Sequence, residues 1–222
     1  MERVLEPELM EDPAQALAYA RANFADVNQG FVDRLCATFP ALTSGSVLDL
    51  GSGPADIPVR LARARPGLEI TAVDGSEAML AHARRAVSEA GLTDRIRLLR
   101  ARLPGLALPR RSFYAVISNS LLHHLADPHA FWQEVLRLGR PGAAVHVMDL
   151  VRPDSPEQAR QTVETAAGDE DPILKGDFFA SLLAAWTVDE VRSQLAAHLP
   201  HLDCRIVSDR HWLVSGRLPA AE

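Results

Sequence analysis

The stretch Val47-Leu48-Asp49-Leu50-Gly51-Ser52-Gly53-Pro54-Ala55-Asp56 decides how this chain reads. Ser46 to Leu50 is a short apolar run of the kind that forms a fully buried strand. Two close glycines follow, and Pro54 to Ala64 reads as a helix, with proline at its opening turn. Strand, glycine turn and helix in that order make a cradle. Glycine permits the tight turn and lets a ligand approach the backbone with no Cβ in the way.

Outward from the cradle, strands and helices alternate. Leu68 to Asp74 is a second strand, and Ser76 caps a helix that turns Met79, Leu80, Ala83 and Val87 inward and stops at Gly91. Arg95 to Arg100 and Tyr114 to Ser118 are the third and fourth strands, and Ala143 to Leu150 the fifth. Asp127 caps the helix before the fifth strand, with Pro128 in its first turn and Arg140-Pro141-Gly142 as its stop. Such alternation predicts an α/β fold, a parallel sheet covered on both faces and doubly wound by right-handed crossovers.

The flanks differ. Residues 1–43 read as a helical cap: Pro13 opens one helix, and Phe31, Val32, Leu35 and Phe39 fall at helical spacing in a second from Asn28. Residues 156–199 look helical, with Thr187-Val188-Asp189-Glu190 as a capping box. Cys204 to Val207 and Trp212 to Val214 form a hairpin joined through Ser208 to His211. The expected organisation is one domain: cap 1–43, cofactor-binding core 44–150, helical insertion or lid 151–203, and closing hairpin 204–218.

Composition narrows the function. The chain has 222 residues, 47% hydrophobic and 23% charged, which excludes disorder as its main state. A net charge of −6 argues against a broad polyanion-binding surface, so nucleic acid is an unlikely partner. No apolar run resembles a signal peptide or a spanning helix, and Cys36 and Cys204 form no CxxC. A reduced, cytoplasmic setting is expected. The two distant cysteines argue against a zinc cluster and the lack of an HExxH pattern against a zincin, so no metal ligands are assigned.

Two nucleotide classes compete for the cradle. A dinucleotide fingerprint needs a small third residue over the pyrophosphate, and here that sixth position is Asp56. A carboxylate there repels a pyrophosphate but not a cation such as S-adenosylmethionine, which carries a sulfonium and an ammonium. Asp74 ends the second strand 23 residues after Gly51. It is either a turn residue before Gly75-Ser76 or an acceptor for ribose hydroxyls, and its distance from the glycine loop favours ribose.

Four motifs then stand in order: VLDLGSGPADIPVRLA (47–62), ITAVD followed by GSEAML (70–80), FYAVISNSLLHHL (113–125) and RLGRPGAAVHVMDL (137–150). In that order and spacing the chain resembles the class I S-adenosylmethionine-dependent methyltransferases. The resemblance implies a Rossmann-like seven-stranded sheet, mostly parallel with an antiparallel final strand, and S-adenosylmethionine as cofactor. Gly51, Ser52 and Gly53 would wrap its amino-acid end, with Asp49 beneath the loop. Asp74 would bind the ribose, with Gly75, Ser76 and Met79 around the adenine. Asn119 and Ser120 would lie beside the methionine portion. Two positions depart from the family. Ala101-Arg102-Leu103 stands where an acid commonly accepts from the adenine amino group. Arginine only donates, so Arg102 would stack on the ring and the Leu103 N–H would bond it. Phe113-Tyr114 stands where Phe-Asp is common.

The implied reaction is methyl transfer by direct displacement to a small-molecule acceptor. It needs alignment, exclusion of water and, for an acidic acceptor, a base. His123 and His124, at the implied mouth of the pocket, are the candidate bases. In the apolar Leu121-Leu122-His123-His124-Leu125 segment they read equally as packed, hydrogen-bonded residues, and more often so. Asp149 either points to the mouth or is a buried acid satisfied by backbone N–H groups or Arg152. Asp177 to Trp186, with Phe24 and Phe31, forms either a lid favouring an acceptor with an apolar part or plain core. Asn119-Ser120-Leu121-Leu122 lacks the prolines and aromatic of amino-methylating nucleic-acid enzymes. The alternatives are a non-methylating use of the cofactor, such as an intramolecular cyclisation releasing methylthioadenosine, a non-catalytic binding module, and a nicotinamide oxidoreductase, against which Asp56 speaks.

Overall fold

The computed structural model describes residues 1–6 and 9–220. Seven strands form one sheet: β1 (Ser44–Leu50), β2 (Gly67–Asp74), β3 (Ile96–Arg100), β4 (Phe113–Asn119), β5 (Gly139–Leu150), β6 (Cys204–Ile206) and β7 (His211–Arg217). Their order is β3-β2-β1-β4-β5-β7-β6; the first five run parallel, and β7 is antiparallel to both its neighbours. The order reverses between β1 and β4, where open α/β sheets bind ligands beyond the carboxyl ends of their strands. Leu50 is in register with both Val73 and Ser118, so Gly51, Asp74 and Asn119 leave the sheet at one edge.

Among the described residues eight α-helices accompany the sheet: α1 (Pro13–Arg21), α2 (Ala25–Thr38), α3 (Asp56–Ala64), α4 (Glu77–Glu89), α5 (Pro128–Leu138), α6 (Pro156–Ala167), α7 (Pro172–Ala184) and α8 (Val188–His198). Four begin alike, with Asp12, Asp127, Ser155 or Asp171 as N-cap and proline next. The cap oxygen takes an otherwise orphaned N–H, and the proline has none to lose. The Thr187/Glu190 capping box forms in full.

Alternation along β1 divides the core. Val47 faces α2, α3 and α4 through Phe31, Leu35, Leu61 and Leu80, whereas Leu48 and Leu50 face α5 and α8 through Phe131, Trp132, Val135 and Leu195. Full burial of side chains this size contributes about 1.5–3 kcal/mol each.

Three boundaries differ from the sequence reading. Pro54 and Ala55 belong to the loop, because Ala55 adopts a left-handed conformation and α3 starts only at Asp56. The α5 helix already stops at Leu138, and Arg140-Pro141-Gly142 lies in an irregular opening of β5 where the register with β4 shifts and Gly142 takes a φ of 73°. The helical tract 156–199 is broken into three, interrupted around Gly168–Asp171 and Ala185–Thr187. Phe31 is fully buried against the sheet, edge-on to His146, and so belongs to the core and not to a lid.

Candidate active site

The loop after β1 is held at the sheet edge by its backbone. Gly51 N–H and Ser52 N–H both donate to the Val73 carbonyl, at 2.8 and 3.0 Å. Gly51 and Gly53 both have positive φ. A Cβ on Gly51 would strike Leu121, whereas one on Gly53 would meet only Tyr19, at 3.9 Å. A cavity of about 700 Å³ opens above this loop. The cofactor-binding and base candidates from sequence line it: Asp49, Gly51, Ser52 and Gly53; Asp74, Gly75, Ser76 and Met79; Arg102 and Leu103; Asn119 and Ser120; His123 and His124.

Asp74 does the work of a turn residue while facing the cavity. Its two oxygens accept from Gly53 N–H and Ser76 N–H, each at 2.8 Å. Burial raises its pKa against the pull of these N–H groups. Ser76 caps α4 and donates its hydroxyl to the Met10 carbonyl at 2.6 Å. Leu9 packs so closely over Gly75 that a Cβ there would clash at 2.6 Å. The chain ahead of α1 therefore covers this end of the cavity. Arg102 is largely exposed, with its guanidinium 3.5 Å from Glu11.

Asp49 is buried beneath the loop, and burial together with Asp74 raises its pKa well above the usual carboxylate range. Its Oδ2, the Ser52 hydroxyl and the Asn119 Oδ1 are all buried with no hydrogen-bond partner from the protein. Three cavity-lining oxygens, none with a donor, make a site suited to a donor-bearing group such as an ammonium. Ser120, at the turn after β4, is held at a φ of 55°, a strained conformation of the kind found at functional sites.

At the far end lie the histidines, on a 3-10 turn from Leu122 to His124. His123 is buried, its Nδ1 2.5 Å from Asp149 Oδ1 and its Nε2 3.3 Å from Glu6 Oε1. Burial disfavours charge on the imidazole, but Asp149 outweighs it and raises the His123 pKa. Burial likewise opposes charge on Asp149, and His123 outweighs it, lowering that pKa. Asp149 does not point to the mouth. It sits under His123, accepting also from the backbone N–H of His123 and of Leu150, while Arg152 turns to the Ala185 carbonyl and Glu190. His124 Nδ1 stands 3.2 Å from the same Glu6 oxygen. Phe24, Leu174 and Phe178 add an apolar wall.

A family model described as a methyltransferase domain matches residues 47–142. An uncharacterized methyltransferase of Mycobacterium tuberculosis is 30% identical over 191 residues, covering 84% of this chain and 94% of the relative. The chain belongs to the class I S-adenosylmethionine-dependent methyltransferases. A 27-O-demethylrifamycin SV methyltransferase of Amycolatopsis mediterranei is 27% identical over 135 residues, covering 61% of this chain and 49% of that one. A crystal structure described as a putative S-adenosyl-L-methionine-dependent methyltransferase of Methanococcus maripaludis shares the fold, with TM-score 0.73 and 15% identity over 99% of this chain and 98% of that one.

S-adenosylmethionine is thus the cofactor of this methyltransferase, and the site fits it: unpartnered buried acceptors under a glycine loop, with an acid at the end of β2. The methyltransferase carries further cavity residues that no sequence signal marked. Tyr19 packs at a tilt against Phe24 with centroids 4.8 Å apart, and burial with nearby Asp74, Asp149 and Asp56 pushes its phenol up to about 12. Asp56 faces the same cavity, but its carboxylate is taken up by Asn28 and Arg60 at 2.9 and 2.7 Å. Glu6 and Tyr19 come from an N-terminal region without a motif, so only the fold brings them here. Among the described residues no helix is long and apolar enough to cross a membrane.

Proposed function

We propose that this methyltransferase methylates a small-molecule acceptor bearing an apolar part. The observation that carries the reading is one continuous cavity. Its polar end is the glycine loop, and its other end joins His123 and His124 to Phe24, Leu174 and Phe178. A cavity of about 700 Å³ suits a compact ligand beside a nucleotide, not a duplex. The relative named for a rifamycin substrate supports the same class.

Asp49, Ser52 and Asn119 would hold the amino-acid end of the cofactor through their unpartnered oxygens. Gly51 and Gly53 would let it reach the backbone, and Asp74 would take the ribose with the lone pairs left after its two N–H bonds. Gly75, Ser76, Met79, Arg102 and Leu103 would frame the adenine. When bound, S-adenosylmethionine supplies a methyl group on positively charged sulfur, and its loss to a nucleophile leaves S-adenosylhomocysteine. The α6–α7 insertion, through Leu174, Asp177 and Phe178, would act as a lid that excludes water over the acceptor. His123, held between two carboxylates, would orient the acceptor, and the more exposed His124 would take its proton.

Calorimetric titration with S-adenosylmethionine and S-adenosylhomocysteine, with NAD as control, followed by an acceptor screen read by mass spectrometry, tests the reading. Binding of the sulfur nucleotides alone and a mass gain of one methyl on an acceptor are expected. Methylthioadenosine appearing without any acceptor would overturn methyl transfer.

A further inference from the structure

The contact between His123 and Glu6 is unusual. Asp149 engages His123 through Nδ1, and in the neutral tautomer that carries its proton there the Nε2 lone pair faces out. That lone pair meets Glu6 Oε1 at 3.3 Å, and His124 Nδ1 approaches the same oxygen at 3.2 Å. The three atoms lie within 4.8 Å of one another. Glu6 Oε1 has no ordinary hydrogen bond, although only 8% of the Glu6 side chain is exposed. Two imidazole nitrogens and a carboxylate oxygen gathered in a buried place suit a shared cation, a proton or a metal ion.

From this we infer that Glu6, His123 and His124 form a site for a divalent transition-metal ion at the acceptor end of the cavity. Tetrahedral zinc, with bonds of about 2.0–2.1 Å, separates its ligands by about 3.3 Å, close to the two spacings found here. Two imidazoles and one carboxylate suit zinc, iron or cobalt better than magnesium or calcium. Asp149 supplies the outer-sphere carboxylate that fixes a ligating imidazole.

The ligand from the N-terminal segment is held firmly in place. Arg3 donates to the His123 carbonyl at 2.6 Å and the Leu125 carbonyl at 3.1 Å, and lies over the Trp186 ring at 3.8 Å. Val4 N–H donates to the Leu183 carbonyl, and Ser181 Oγ to the other Glu6 oxygen. The segment is thus tied to the same turn that carries both histidines and to α7. A metal with three protein ligands keeps a position open, and both imidazoles line the cavity. That position would take an oxygen of the acceptor and make its hydroxyl easier to deprotonate; with metal bound the proton would leave to solvent, and His124 would serve as the base only in the metal-free protein. This last step rests on the methyl-transfer reading and names the acceptor class as hydroxyl- or carboxyl-bearing; the metal site stands without it.

The test strips the full-length protein with a chelator and titrates Zn²⁺ by calorimetry, following the histidine side-chain ¹⁵N resonances. One zinc per chain that moves His123 and His124 is expected. Glu6→Gln and His124→Ala should each weaken binding at least tenfold, and Asp149→Asn about 10- to 100-fold. Zinc that perturbs only the exposed pair His129 and His198, whose ring nitrogens lie 2.9 Å apart, would overturn the site. So would unchanged affinity in both ligand variants. The wild-type resonances decide the matter even where a variant fails to fold. Affinity for S-adenosylhomocysteine, measured in parallel, separates loss of this site from failure of the methyltransferase reading.

Discussion

Asp149 holds His123 twice. Its Oδ1 lies 2.5 Å from the ring Nδ1, and its Oδ2 accepts the His123 backbone N–H at 3.1 Å. The turn after β4 is thereby pinned to the end of β5. Both groups are buried, and removing one partner of a buried pair costs about 3–5 kcal/mol. Asp149→Ala should lower the unfolding free energy by that order in urea denaturation. A loss of about 1 kcal/mol or less would show that the pair carries little of the fold.

Asp49 should behave in the opposite sense. A carboxylate buried beside Asp74, with one oxygen unpartnered, destabilises the unliganded protein. Asp49→Asn should therefore leave the melting temperature unchanged or raise it. It should also weaken S-adenosylmethionine binding about 10- to 100-fold, the worth of a hydrogen bond to a charged group. Unchanged affinity in calorimetry would remove Asp49 from the site.

The two loop glycines separate conformation from ligand contact. Gly53→Ala should cost about 1–2 kcal/mol for a left-handed alanine, since its Cβ meets only Tyr19. Its loss of cofactor affinity should exceed tenfold. Gly51→Ala should cost more stability, because its Cβ would lie 2.8 Å from Leu121 as well. Equal cofactor affinity in Gly53→Ala and wild type would argue that no ligand approaches this backbone.

His146 gives a pH dependence far from the site. It lies edge-on to Phe31 and Phe39, with Nδ1 2.9 Å from Ser215 Oγ, and burial lowers its pKa to about 4. The unfolded chain binds this proton near pH 6.5, the folded chain only near 4. Stability is therefore complete above about pH 6.5 and falls as pH drops toward 4, by up to about 3 kcal/mol. His211, also lowered to about 4 by burial, acts in the same sense. His146→Leu should reduce the slope of unfolding free energy against pH between 4 and 6.5 by roughly half. An unaltered slope would mean that His146 titrates normally in the fold.

Local chemistry accounts for what the sequence determined. The strand into Gly51-Ser52-Gly53, the caps at Ser76 and Asp127 and the Thr187/Glu190 box each depend on residues a few positions apart, so spacing alone predicted the elements and their order. Parallel strands joined by right-handed crossovers then left one edge on which Asp49, Asp74 and Asn119 converge. The local signals misled where a neighbour overrides them: Pro141 and Gly142 read as a helix stop, yet β4 pairs with the chain at Gly139 and again at Ala144, leaving them in an irregularity within β5. Tertiary structure alone decided that Phe31 is core, that Asp149 lies beneath His123 and not at the mouth, and that Tyr19 roofs the cavity. It alone set Glu6 against His123, 117 positions away in the chain. A contact over that distance leaves no periodicity in the sequence, because it is made by an irregular N-terminal segment laid against the turn after β4, which no local propensity specifies.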